Sequence, residues 1–258
     1  AAITVVYPAF VMLTAISNLF GVGGASALAR SLGTRRTEDA KNIASLSFWG
    51  GLCSSIVFST LFFLLAGPIL TLCGATPEIY DTAFGYALWV VVAGGPPTIL
   101  NTLLANLVRA QGSAAAAAAG VSMGGILNIL LDPLFVLPQF LGLGAVGAGM
   151  ATALSNLAAA IFFLLYIFFQ RSHSAVNINP ARLRRSFGYI KTVLLIGFPS
   201  ALQYALTVVA VAAQSRFVSQ YTTEAMAALG IVKKLDQLPL YFSIGVSNGL
   251  LPLLAYNY

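Results

Sequence analysis

AAAAAAGVSMGGILNILLDPLFVL, residues 114–137, is apolar over the length of a membrane-spanning helix and holds one acid, Asp132. A span needs about 20 mostly apolar residues, and the nearest basic residues to this acid are Arg109 and Arg171. A charge in hydrocarbon costs about 3 kcal/mol or more unless something compensates it, so an acid kept here marks a functional site. Asn128 lies one helical turn earlier, and the i, i+4 spacing sets its amide beside the carboxylate. Pro133 removes a backbone donor and loosens the ladder around the pair. The bland alternative is a protonated acid, hydrogen-bonded inside a helix bundle.

Outward from this stretch the chain keeps the same character. Of 258 residues, 59% are hydrophobic and only 8% charged, against roughly 25% charged in a soluble domain. Seven stretches reach span length: 1–29, 43–66, 80–108, 114–137, 146–169, 192–218 and 225–254. No strands are needed, and the fold class is an all-α polytopic membrane bundle. Cys53, Cys73 and the lone His173 form no metal-ligand or disulfide pattern. Paired acids, Ser/His arrangements and HExxH are absent, so an enzyme is not expected. The net charge of +6 comes from residues at span ends, where they set topology rather than bind nucleic acid.

Arg30, Arg35, Arg36 and Lys41 fall in one loop, Arg109 in another, and Arg171, Arg182, Arg184, Arg185 and Lys191 in a third. All three lie on one side, which the positive-inside rule makes cytoplasmic. The opposite loops, 67–79 and 138–145, hold no lysine or arginine, and the last outer loop has only Arg216. The first span therefore starts outside, which calls for an upstream helix or cleaved signal. Residues 171–191, with Pro180 and the basic run ARLRR, read as a cytoplasmic linker between a bundle at 1–170 and the start of a second at 192–258. Its arginines are expected to meet lipid headgroups. Sliding the chain by 226 positions pairs Ser17 with Ser243, Gly23 with Gly249 and Ala29 with Ala255, as a duplicated transporter would.

Polar residues inside the first five spans are Asn18, Asn101, Asn106, Asn128, Asp132, Thr152 and Asn156. Oxygen donors of this kind replace the hydration shell of a small hard cation or relay a proton through one carboxylate. Isolated asparagines serve more often as interhelical glue, so those converging on Asp132 matter most. Ser200, Gln203, Thr207 and Gln214 follow helical spacing in the sixth span, and Lys233, Asp236, Gln237, Ser243 and Ser247 continue in the seventh. Lys233 and Asp236 are spaced to pair at i, i+3. So extensive a polar stripe is expected to line a water-filled cavity rather than face lipid. Pro8, Pro96, Pro97, Pro133, Pro199 and Pro239 fall inside spans and predict bends.

Three segments carry a family resemblance: FGVGGASALARSLGTRRTEDA; LLANLVRAQGSAAAAAAGVSMGGILNILLDPLFV; and IGFPSALQYALTVV with PLYFSIGVSNGLLPLLAYNY. The chain resembles the multidrug and toxic compound extrusion (MATE) transporters along its whole length. The resemblance implies twelve helices in two six-helix lobes, of which this chain would run from the second helix to the eighth. It further implies a monomeric, multi-pass protein of the cell membrane. Such a protein exports amphipathic or cationic small molecules in exchange for Na⁺ or H⁺ and uses no other cofactor.

By position, the family's cation site looks like Asn128 and Asp132, joined by Thr152 and Asn106. Its partner acid would lie on the absent first helix. Where one subgroup places a glutamate on the seventh helix, this sequence has Thr207. Gln203, Thr207, Gln214, Lys233, Asp236 and Gln237 would line the substrate cavity. Two rival readings remain: a lipid-linked oligosaccharide flippase, suggested by Lys233 and Lys234, and a seven-helix receptor or retinal protein, suggested by the span count.

Overall fold

The protein is described here by a computed structural model. It covers residues 2–73, 75, 77–171, 174–218 and 223–257. The side chains of 184, 208, 211, 212, 215, 216, 223–231, 233, 234, 237, 248, 251, 252 and 255 lie outside that description. His173 falls outside it too.

Every regular element among the described residues is helical: α1 (Ala2–Gly33), α2 (Thr37–Leu64), α3 (Ala66–Leu72), α4 (Pro77–Ala87), α5 (Gly95–Ala110), α6 (Ala114–Val136), α7 (Gly144–Phe169), α8 (Leu183–Ser186), α9 (Ile190–Val218) and α10 (Thr223–Asn257). Only a helix satisfies all its backbone groups within one segment, which is what a bilayer demands. Five helical stretches are long and apolar enough to cross: Ala2–Gly33, Thr37–Leu64, Ala114–Val136, Gly144–Phe169 and Phe187–Thr207. Pro77–Ala93 and Gly95–Ala110 make a sixth candidate, broken by a 45° bend. The expected seventh span lies within α10, a single helix whose described apolar portion is the short stretch Leu238–Ser247.

α1 is the central helix, packed against α2, α4, α5, α9 and α10. One core cluster joins Phe20, Leu28, Ile43, Leu103, Leu107, Phe163 and Val193 toward the end of the bundle that carries the linker. A second, toward the opposite end, joins Val6, Leu13, Phe62, Leu70, Val90 and Ile99. In lipid the attraction between helices comes from close packing rather than hydrophobicity, and small residues permit it. The crossing of α1 and α9 depends on this: a Cβ on Gly23 would fall on the Val193 carbonyl, and one on Gly197 on the Leu19 carbonyl. At the C-terminal end of α1, Gly33 lies just as close to the Tyr256 carbonyl of α10.

The stretch expected to tether two bundles is fastened to the first. The Gln111 side-chain oxygen, Oε1, accepts from the Ser174 hydroxyl (2.7 Å) and the Val176 N–H (3.3 Å). Ser45 donates to the Asn179 carbonyl and the Trp49 indole N–H to that of Ile178, each at 3.0 Å. The Arg182 guanidinium donates to Glu38 (2.7 Å) and the Tyr189 hydroxyl to Asp39 (2.7 Å). Arg182 thus pairs with Glu38 of α2 at the surface of the bundle. The run RAQG acquires a structural account as well. Arg109 donates to Asn106 (3.0 Å), Gln111 holds the linker, and Gly112 turns the chain at φ +97°, where only glycine is unstrained.

In the full-length protein, Gly197→Ala is expected to cost about 1–3 kcal/mol by forcing α9 off α1. A lowered thermal midpoint in detergent checks this, and an unchanged midpoint would contradict it.

Candidate functional site

α6 and α7 are antiparallel, with their register set by small residues. A Cβ on Gly120 would strike the Phe163 ring, one on Gly124 would lie 3.1 Å from Ala159, and one on Gly147 would overlap the Phe135 backbone. This register brings Thr152 to the height of Asp132 and Ser155 to that of Asn128. Leu143 N–H donates to the Phe135 carbonyl (2.9 Å), closing the outer end of the pair. α6 runs on through Pro133 to Val136, so the proline removes a donor without ending the helix.

α5 completes the group. Asn101 Nδ2 donates to Asn156 Oδ1 (2.8 Å), and Asn156 Nδ2 donates to Thr98 Oγ1 (3.1 Å) and to the Thr152 carbonyl (3.0 Å). Asn156 is the hub that ties α5 to α7. The Thr152 hydroxyl itself donates back to Ala148 (2.9 Å). On α4, the half-buried Tyr86 ring lies against Gly149 of α7.

Buried polar atoms almost always find partners. Among the described residues, four buried side-chain atoms have none: Ser47 Oγ, Asn101 Oδ1, Asn128 Nδ2 and Asp132 Oδ1. Three of the four belong to this one group. A carboxylate and amides left unsatisfied at a shared site form a donor set for a small hard cation or a proton, since rotating an amide end over end presents its oxygen.

Of the residues expected at the cation site, Asn128 and Asp132 lie on α6 with an unpartnered atom each, and Thr152 lies on the neighbouring α7. Asn106 turns elsewhere: its Oδ1 accepts from Arg109, and its amide sits under Gly21 of α1. Asn101, five positions earlier on α5, is the asparagine that reaches Asn156 of α7. Tyr86 and Thr98 escaped the sequence reading, as hydroxyl residues in spans are common; proximity to Pro96 and Pro97 was the available signal. Gln203, Thr207, Gln214 and Asp236 are exposed, with the Thr207 hydroxyl donating back to Gln203 (2.8 Å). The side chains of Lys233 and Gln237 lie outside the described residues. No cluster of three or more His, Cys, Asp or Glu able to hold a metal occurs among the described residues.

The MatE family model matches residues 1–134, the part that contains α1 to α5 and the acid of α6. The chain belongs to the MatE family. Among its relatives, the multidrug export protein MepA of Staphylococcus aureus (strain NCTC 8325 / PS 47) is 30% identical over all 258 residues, which cover 56% of MepA. The chain thus spans about half the length of the curated relatives it matches. A crystal structure of MATE in the straight conformation superposes with a TM-score of 0.84 at 27% identity, over 99% of this chain and 54% of that one. An outward-facing multidrug resistance MATE transporter of the MOP superfamily gives 0.81 at 26% identity, over 99% and 54%. The fold is that of a multi-pass MATE transporter, and the receptor and retinal readings fall away.

Satisfied and unsatisfied amides predict opposite stability effects. Asn156→Leu is expected to destabilise the full-length protein by about 1–3 kcal/mol, because it strands Asn101 and Thr98. Asn128→Leu removes an amide with no partner and is expected to leave the thermal midpoint unchanged or raised. Paired melting curves in detergent check both, and a larger loss for Asn128→Leu would contradict the assignment.

Proposed function

We propose that the full-length protein is a secondary antiporter of the cell membrane, monomeric, exporting amphipathic cationic organic compounds in exchange for inward Na⁺ or H⁺. The observation that supports this reading best is the clustering of buried, partnerless polar atoms on Asn101, Asn128 and Asp132. A site left unsatisfied by the protein's own groups is one that a mobile ligand completes.

Asp132 holds the coupling ion or proton, and the Asn128 and Asn101 amides supply neutral oxygens beside it. Asn156 keeps Asn101 aimed, and Thr152 stands at the height of the acid. When the ion or proton neutralises Asp132, the field that favours an organic cation is removed. The two ligands then compete through one conformational equilibrium. The bent span and Pro133 give the helices around the acid places to repack. Gln203, Thr207, Gln214, Lys233, Asp236 and Gln237 are proposed to line the substrate path. The names of the relatives, a multidrug export protein and a multidrug resistance transporter, accord with this substrate class.

The test is efflux of a cationic dye from vesicles carrying the full-length protein, under an imposed Na⁺ gradient and under an imposed pH gradient. One gradient is expected to drive efflux in the parent, and Asp132→Asn to reduce it to the passive leak with membrane insertion intact. Coupled efflux at the parental rate in Asp132→Asn would overturn the reading.

A further inference from the structure

Between α4 and α5 the chain makes one wide, π-helical turn, Leu88–Ala93, before the 45° bend. Its signature is the Gly94 N–H donating to the Trp89 carbonyl five residues back (2.8 Å). In that register the Val91 carbonyl faces position 96, which is proline and has no N–H. A buried carbonyl without a donor is costly, more so in hydrocarbon. The missing donor comes from another helix: Ser59 Oγ on α2 donates to Val91 O at 2.7 Å, with both groups buried. Gly95 makes room for it, since a Cβ there would sit 2.5 Å from the Ser59 hydroxyl.

The wide turn lies between Tyr86 and the pair Thr98 and Asn101. In an unbroken α-helix, Tyr86 and Thr98 would point about 120° apart. One extra residue per turn takes back about 100°, leaving them within about 20° of one face. Both then meet α7, Tyr86 at Gly149 and Thr98 at Asn156.

We infer that Ser59 is a positioning residue for the Asp132 site: its hydrogen bond to Val91 holds the π turn that brings Tyr86 and Thr98 onto the face shared with Asn101 and Asn156. Ser59 touches none of the ion-site groups and acts only through the backbone of another helix. The inference rests on the ion-coupled reading above.

The test uses the full-length protein with the near-isosteric pair Ser59→Thr and Ser59→Val, which differ in the hydroxyl, and with Ser59→Ala. The readouts are the ion dependence of dye efflux and amide hydrogen exchange across residues 88–101. Ser59→Thr is expected to keep the parental half-saturating ion concentration. Ser59→Val and Ser59→Ala are expected to raise it about threefold to tenfold, with maximal efflux held and exchange accelerated in the π turn. The double variant Ser59→Ala with Gly95→Ala refills the space with a methyl group and is expected to stay raised. An ion-dependent parent whose half-saturation is the same in Ser59→Val, or is restored in the double variant, overturns this inference alone. A parent with no ion dependence overturns both readings, and it does so whatever the exchange data show.

Discussion

A polar group inside a bilayer must find its partner within the protein, because no water is there to supply one. In this chain that requirement explains the helices, the places where they bend and the place where partners run out. At several backbone carbonyls among the described residues a hydroxyl from another helix supplies a donor. The Val91 carbonyl, stranded by Pro96, takes the Ser59 hydroxyl (2.7 Å). The Ile99 carbonyl takes Ser17 Oγ (3.2 Å). Asn101 Nδ2, Asn156 and Thr98 are linked by hydrogen bonds across α5 and α7. Against that background, the partnerless atoms of Asn101, Asn128 and Asp132 stand out as a group.

Close approach of helices is the second half of the same physics. Glycines at 23 and 197 bring α1 and α9 to backbone contact, Gly147 does so for α6 and α7, and Gly120 and Gly124 make room for Phe163 and Ala159 in the same crossing. The first crossing ties α9 to the central helix. The second sets the register that lifts Thr152 to the height of the acid. At the end of the bundle that carries the linker, ordinary polar contacts take over, and the linker is pinned by Gln111, Ser45, Trp49, Glu38 and Asp39.

Much of this was legible in the sequence. Apolar runs of span length were enough for the all-helical membrane fold. Asp132 and Asn128 stood out because an acid in hydrocarbon has few innocent explanations. What escaped the sequence depended on register. Asn106 and Asn101 are both asparagines in one span, and only the π turn and the bend decide which of them reaches α7. The pairing of Arg182 with Glu38 was not visible because the two lie 144 positions apart in sequence. Ser59 carried no signal at all, since its role is set by a proline on a different helix.

The central claim is that one site, built around Asp132, links the coupling ion to the exported compound. The most direct measurement is equilibrium release of a bound cationic dye from the detergent-solubilised full-length protein, titrated with Na⁺ at fixed pH and with protons at fixed Na⁺. One of the two ions is predicted to displace the dye from the parent and to lose that effect when Asp132 is replaced by Asn. Displacement by the same ion, at the same concentration, from the Asp132→Asn protein would contradict the account.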